Sequence, residues 1–170
     1  SPEITSSASF SADENQTSIG TVTATDADGD TVSFSISGYP GPGAEIAITT
    51  LGNSSSGTIT FISAPDYETK SSYTANVTAS DGSNSTTQEI TVTINDINES
   101  PEITSSAYSV NEDETAIGTI SATDPEGDTI TYSISGSEIN INSSSGVLTF
   151  ASAPDYETKS TYTATVTASD

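Results

Sequence analysis

The chain has no cysteine, histidine, methionine or tryptophan, and only two basic residues, Lys70 and Lys159. Without cysteine there is no disulfide framework, and without thiolate or imidazole donors zinc and copper are poor candidates. Two lysines cannot form the basic stripes that nucleic acid or an anionic lipid surface requires, so neither is an expected partner. No apolar run approaches the ~20 residues of a membrane helix, so no membrane insertion is expected. No basic segment followed by a hydrophobic stretch opens the chain in the manner of a signal peptide. What remains is acid: 24 Asp and Glu leave a formal net charge of −22. Such a surface invites cations.

Hydrophobic residues make up 31% of the sequence, close to the composition of disordered chains, so order has to be argued from pattern. The pattern is strict alternation, as in Val32-Ser-Phe34-Ser-Ile36, Ile59-Thr-Phe61, Tyr73-Thr-Ala75-Asn-Val77-Thr-Ala79 and Ile90-Thr-Val92-Thr-Ile94. A period of two with Ser or Thr outside marks half-buried antiparallel strands. Seven are expected in the first hundred residues: around Ile4 and over 21–25, 31–37, 45–49, 58–62, 72–80 and 87–95. Seven short strands without a helical stretch predict a Greek-key β-sandwich.

The sequence then repeats. Ser1-Pro-Glu-Ile-Thr-Ser-Ser-Ala8 returns as Ser100-Pro-Glu-Ile-Thr-Ser-Ser-Ala107, and Pro65-Asp-Tyr-Glu-Thr-Lys70 as Pro154-Asp-Tyr-Glu-Thr-Lys159. The offset is 99 residues at the start of each copy, 98 between Phe10 and Tyr108, and 89 further on. The extra residues fall in Tyr39-Pro-Gly-Pro-Gly-Ala44, which reads as a surface loop. The expectation is an all-β chain of tandem seven-stranded sandwiches, 1–99 with its linker and 100–170. The second copy ends before any counterpart of 83–95 and is expected to lack its last strand. It is then either a segment of a longer array or is closed by a strand from a neighbouring chain. A duplicated unit repeats whatever job it has, which argues against one-off catalysis.

The acids repeat with the strands. Asp13-Glu14 follows the first expected strand, as Glu112-Asp-Glu114 does in the second copy. Asp26-Ala-Asp28-Gly-Asp30 joins the second and third, and returns as Asp124-Pro-Glu126-Gly-Asp128. Asp66-Tyr-Glu68 precedes the sixth and returns as Asp155-Tyr-Glu157, while Asp81 closes the sixth and returns as Asp170. Threading these through an up-and-down path sets Asp66 and Glu68 at one pole and Asp81 at the other. Glu14, Asp66 and Glu68, the linker groups Asp96, Asn98 and Glu99, and Asp124, Glu126 and Asp170 are therefore expected to meet at a waist between the copies. Asp26, Asp28 and Asp81 would face a preceding linker, and Glu112, Asp155 and Glu157 a following one. Two like charges ~4 Å apart repel by about 4 kcal/mol at an effective dielectric near 20. An irregular all-oxygen site with many carboxylates suits Ca²⁺, which takes 6–8 oxygen ligands; Mg²⁺ wants a stricter octahedron.

These motifs resemble the cadherin repeat. Asp13-Glu14-Asn15 is similar to the family's Pro-Glu-Asn motif, and Asp26-Ala-Asp28 and Asp124-Pro-Glu126 to its Asp-x-Asp motif. Pro65-Asp-Tyr-Glu68 and Pro154-Asp-Tyr-Glu157 resemble its Leu-Asp-Arg-Glu motif, and Ala79-Ser-Asp81 and Ala168-Ser-Asp170 its Ala-x-Asp. Asp96-Ile-Asn-Glu-Ser-Pro101 is one residue shorter than the animal-type linker, with Glu99 where Asn is usual, which resembles bacterial cadherin-like repeats. The resemblance implies a calcium-binding, non-enzymatic repeat of an extracellular adhesin or filament, its partners being neighbouring repeats and a cell-surface protein or polysaccharide.

Plainer readings stand beside these. Asp26-Ala-Asp28-Gly-Asp30 also suits a tight turn. It is no EF-hand, which would need Gly at Thr31 and Glu at Ser37. Asp66 and Glu68 could pair as glycosidase carboxylates, but a hydrolase needs one cleft and this pair recurs. Lys70 and Lys159 are expected to be solvated, and Tyr67 and Tyr156 to pack on the sandwich end. A carbohydrate-binding module using a sheet face or the 39–44 loop is the rival function.

Overall fold

The computed structural model describes all residues except 39–44, 53, 54 and 106, so the loop expected at 39–44 lies outside the described residues. The chain divides into two compact units, Ser1–Ile97 and Asn98–Asp170. The sequence alone had put the division after Glu99. Among the described residues both units are built of strands and turns, with no helix.

In unit 1 the strands are β1 (Pro2–Ile4), β2 (Ser9–Asp13), β3 (Ser18–Asp26), β4 (Ser33–Ser37), β5 (Ile46–Thr50), β6 (Ser56–Phe61), β7 (Ser72–Ser80) and β8 (Ser85–Asn95). They form two four-stranded sheets, ordered β1-β3-β6-β5 and β2-β8-β7-β4. The inward positions of the alternating runs meet between them. Val22, Ile46, Ile59, Val77, Ile90 and Val92 are each 1% exposed or less, and Ala12, Phe34, Phe61 and Ile94 complete the core. The outward Ser and Thr residues stay wet, as the period of two requires.

One strand was missed by sequence. Ser9–Asp13 runs parallel to β8, Ser9 opposite Thr91 and Asp13 opposite Asn95. The chain therefore leaves the first sheet after β1 and enters the second as β2. The run is short, and its strand partner is the last strand of the unit, some eighty residues away, so local pattern says little about it. Gly20 interrupts the β3–β6 register and makes room for the Phe10 ring: a Cβ there would stand 3.1 Å from Phe10 Cδ1.

Unit 2 repeats the order with shorter pieces: β9 (Glu102–Ile103), β10 (Ala116–Thr119), β11 (Ala122–Thr123), β12 (Thr131–Ile134), β13 (Ile139–Ile141), β14 (Val147–Phe150) and β15 (Val166–Ser169). They pair as β11-β9, β10-β14-β13 and β12-β15. Among the described residues, nothing pairs on the free side of β15 where β8 flanks β7 in unit 1. Among its described residues, only Ile120 and Leu148 have buried hydrophobic side chains.

The two lysines are not simply solvated. Lys70 Nζ lies 2.6 Å from Glu45 and 4.2 Å from the centre of the Tyr73 ring, which meets Phe61 edge-on at 4.9 Å. Lys159 repeats this on Glu138, Tyr162 and Phe150. A long aliphatic stem with a charged tip can cover an aromatic face while the tip finds a carboxylate. Tyr67 packs against the core as expected, whereas Tyr156 is 66% exposed.

Candidate metal centre

Each unit carries acids at both ends of its long strands. β7 spans nine residues, roughly 30 Å, so Glu68 before it and Asp81 after it lie at opposite poles. At the first pole of unit 1 the parallel β2 and β8 end side by side, and Glu14 N–H donates to the Asn95 carbonyl at 3.2 Å. The chain then turns through Asn15, at φ 61°, whose N–H donates to the Pro65 carbonyl at 2.9 Å. This swings the Glu14 carboxylate inward, where it is 3% exposed. Its Oε2 accepts from Tyr67 N–H and its Oε1 from Ile97 N–H, both at 2.8 Å. Carboxylate oxygens of Glu14, Glu68 and Asp96 lie within 4.8 Å of one another. Asp66 is not in this set; its Oδ1 and Oδ2 accept from the Thr69 amide and hydroxyl, at 2.9 and 3.0 Å.

The equivalent pole of unit 2 has the same backbone plan. Asp113 takes the left-handed position at φ 66° and donates to the Pro154 carbonyl at 2.9 Å; Glu112 Oε2 accepts from Tyr156 N–H at 3.1 Å. Glu112 is thus the counterpart of Glu14 despite the altered motif around it. Here Asp155 joins: Glu112, Asp155 and Glu157 approach within 4.8 Å. The Thr158 hydroxyl and amide and the Glu157 amide hold the Asp155 carboxyl below its ordinary pKa.

At the other pole of unit 1 the β3–β4 loop serves two ends. Asp26 Oδ1 accepts from the amides of Asp28 and Asp30 at 2.9 and 3.4 Å, while Gly29, at φ 80°, donates to the Asp26 carbonyl at 3.2 Å. That is the turn chemistry anticipated as the plainer reading. Asp26 Oδ2 remains and points into the pole, its side chain 1% exposed. The Ser1 ammonium lies between it and Asp81 Oδ2, at 3.3 and 3.7 Å. Amide donors hold both carboxyls below the ordinary aspartate value: Asp28 first for Asp26, Asn84 and Ser83 for Asp81. Asp30 also brings a carboxylate oxygen within 4.8 Å of Asp26 and Asp28, so it belongs to the cluster from which the sequence analysis left it out. The signal was the regular Asp-x-Asp-x-Asp spacing.

Unit 2 builds the same loop. Asp124 Oδ1 accepts from Asp128 N–H at 2.9 Å, and Gly127, at φ 76°, donates to the Asp124 carbonyl at 3.2 Å. Around it, Glu126 Oε1 accepts from Glu99 N–H at 3.3 Å and Asp170 Oδ2 from the Asn98 side-chain amide at 2.6 Å. Asp124 Oδ2 and Glu126 Oε2 are buried and accept no hydrogen bond. A buried carboxylate oxygen without a donor is costly unless a cation meets it. Both lysines of the chain are engaged elsewhere, on Glu45 and Glu138, so no basic side chain is available to any pole.

A family described as "Cadherin domain" matches residues 7–95. Among curated proteins, "Cadherin EGF LAG seven-pass G-type receptor 2" of Mus musculus is 37% identical over 116 residues, 62% of this chain and 4% of the receptor. "Chitinase A" of Pseudoalteromonas piscicida is 43% identical over 75 residues, 42% of this chain and 9% of that protein. The chain therefore spans only a small part of the curated relatives it matches. Among solved structures, human protocadherin-24 EC1-2 superposes with a TM-score of 0.59 at 20% identity, covering 99% of this chain and 92% of that one. Mouse cadherin-23 EC22-24 gives 0.58 at 25% identity, covering 99% of this chain and 59% of the other.

Proposed function

The chain belongs to the cadherin domain family, and from that premise we propose that it is a calcium-dependent structural and adhesive repeat of an extracellular array. The observation that carries the proposal is the pairing of buried, donorless oxygens on Asp124 and Glu126 with the absence of any free basic side chain. Donor chemistry fits calcium: carboxylates and an amide, no nitrogen or sulfur ligand, and irregular loops that accept a high coordination number. Glu14, Glu68 and Asp96 would supply ligands from unit 1, with Asp66 entering as its counterpart Asp155 does beside Glu112 and Glu157. Asn98, Glu99, Asp124, Glu126 and Asp170 would supply them from unit 2. Asp96 and Asn98 are two residues apart in sequence, so one ion cluster would tie the end of one repeat to the start of the next. Bound calcium would neutralise the acids and fix the linker, turning a flexible string into a rod whose partners along the array are its neighbouring repeats. Asp26, Asp28 and Asp81, and Glu112, Asp155 and Glu157, would serve the flanking linkers in the same way. The likeness to a stretch of Chitinase A from Pseudoalteromonas piscicida supports a bacterial setting. A non-enzymatic role suits a site built twice.

Calorimetric titration with Ca²⁺ tests this, together with thermal melting in calcium and in EDTA. Free calcium at one hundred times the dissociation constant stabilises by about 2.7 kcal/mol per independent site, so melting rises accordingly. Glu68→Gln and Asp124→Asn should each weaken binding by about tenfold or more, equivalent to about 1.4 kcal/mol, and Asp30→Asn by less. Equal affinity in all three, or melting indifferent to EDTA, overturns the assignment. The Chitinase A likeness also favours a second reading, a carbohydrate-binding module; binding to chitin that survives chelation would establish it.

A further inference from the structure

An aspartate followed by glycine is a place where a backbone can rewire itself. With no side chain on the second residue, its amide nitrogen can reach the aspartate Cγ and close a five-membered ring. The dipeptide occurs twice in the chain, at Asp28-Gly29 in the β3–β4 loop and at Asp81-Gly82 in the β7–β8 turn. At the glycine the two places are alike. Gly29 N–H donates to the Asp26 carbonyl and Gly82 N–H to Ser80 Oγ, each at 3.2 Å. A Cβ built on either glycine would meet nothing within 4 Å. At the carboxylate they differ. Asp81 is half-buried, and its Oδ1 accepts from the amides of Ser83 and Asn84 at 2.7 and 2.6 Å. Asp28 is exposed, and among the described residues no hydrogen-bond donor reaches its carboxylate.

We infer that Asp28-Gly29 is a site of spontaneous aspartate isomerisation, and that the fold shields Asp81-Gly82 from the same reaction. The Gly29 nitrogen attacks Asp28 Cγ. A C–N bond forms, and a carboxyl oxygen leaves as water, taking the carboxyl proton and the amide proton. The succinimide then takes one water back. Opening at Cγ restores aspartate; opening at the Asp28 main-chain carbonyl leaves isoaspartate, with the chain running through Cγ. Mass is unchanged, and neither an oxidant nor a cation is needed. At Asp81 two charge-assisted amide bonds must break before the carboxyl can meet the Gly82 nitrogen; at Asp28 none must. The product adds one backbone carbon between Asp28 and Gly29. That lies inside the turn that brings Gly29 N–H to the Asp26 carbonyl and the Asp28 and Asp30 amides to Asp26 Oδ1, so the turn comes apart. Unit 2 makes its turn with Glu126-Gly127, where closure would need a six-membered ring, so that loop is spared. One of two repeated loops thus carries a chemical lifetime.

The test ages the full chain at neutral pH and physiological temperature in EDTA, so that no bound ion holds either carboxylate. Protein isoaspartyl methyltransferase counts the isoaspartate formed, and electron-transfer fragmentation in a mass spectrometer places it, because the two linkages break differently. Isoaspartate should accumulate at residue 28, without change of mass, at least tenfold faster than at residue 81, since one hydrogen bond to a charged group is worth that factor or more. In urea, where the fold no longer separates the two sites, their rates should converge. Asp28→Glu should remove most of the isoaspartate from the folded chain. Equal rates in the folded chain, or a ratio that urea leaves unchanged, overturn the proposal, because the fold then makes no selection. Isoaspartate confined to Asn84 or Asn142, with the gain in mass that deamidation brings, overturns it in favour of asparagine chemistry.

Discussion

The segments Tyr73-Thr-Ala-Asn-Val-Thr-Ala-Ser80 and Tyr162-Thr-Ala-Thr-Val-Thr-Ala-Ser169 differ at one position, yet they fold differently. The first is part of a continuous nine-residue strand with Ala75, Val77 and Ala79 at most 1% exposed. The second is paired over four residues, with Ala164 exposed and Val166 and Ala168 half-buried. The same contrast separates Ser9–Asp13, a strand, from residues 107–111, which are not. In unit 1 both strands pair with β8, whereas among the described residues of unit 2 the strand β15 pairs with β12 alone. A strand's state is set by the neighbours that satisfy its backbone and cover its side chains more than by its own composition. In unit 1 one strand, β8, pairs with two others and brings Ile90, Val92 and Ile94 to the core.

The largest effect expected from this contrast is in the matched pair of valines. Val77→Ala deletes two fully buried carbons and leaves a cavity, which should cost unit 1 about 2 kcal/mol. Val166→Ala removes the same atoms from a half-exposed site and should cost unit 2 under about 1 kcal/mol. Denaturation followed by hydrogen exchange assigns each loss to its unit. Equal costs would mean that Val166 is as deeply buried in solution as Val77.

What survives in both units is the cluster at the start of β7 and its counterpart: Glu45, Lys70, Tyr73 and Phe61, repeated as Glu138, Lys159, Tyr162 and Phe150. It needs no strand from β8's position, since its members come from the loops and strands that both units keep. Lys70→Gln and Lys159→Gln should each cost about 1 kcal/mol or less, because both pairs are partly exposed and salt-screened. The Lys70 pair, at 33% and 36% exposure against 43% and 52%, should be the larger. Melting of both variants at low and high salt decides it, and a greater loss at Lys159 would reverse the ranking.

Alternation made the sandwich legible, because Thr outside and Ile or Val inside is a local signal that each strand carries by itself. Ser9–Asp13 escaped because its pairing depends on Thr91–Asn95, far along the chain. The lysines were misjudged for a like reason: Glu45 precedes Lys70 by 25 residues, and only the fold brings them together. The acids were legible as residues, since they recur at fixed places beside strand ends. Their individual oxygens were not. Asp26 divides its two between a turn and the pole. Asp66 and Asp155 cap Thr69 and Thr158 in the same way, yet Asp155 also approaches Glu112 and Glu157, a difference of tertiary placement that no residue pattern encodes.

The smallest expected effect refines the lysine cluster of unit 1. Burial pushes the Tyr73 phenol above its ordinary pKa, while the Lys70 ammonium 4.2 Å from its ring centre pulls the other way. Folding thus favours the neutral phenol. Its contribution is intact below about pH 10, the ordinary tyrosine value, and is lost as the pH climbs through the raised one. Absorbance titration of the phenolate band, comparing the chain with Tyr73→Phe, should show one tyrosine ionising above that value. Lys70→Gln removes the cation that stabilises the phenolate and should move the midpoint higher still, even though it weakens the fold slightly. A midpoint that falls on losing Lys70 would show that the lysine acts on Tyr73 by covering its ring rather than through its charge.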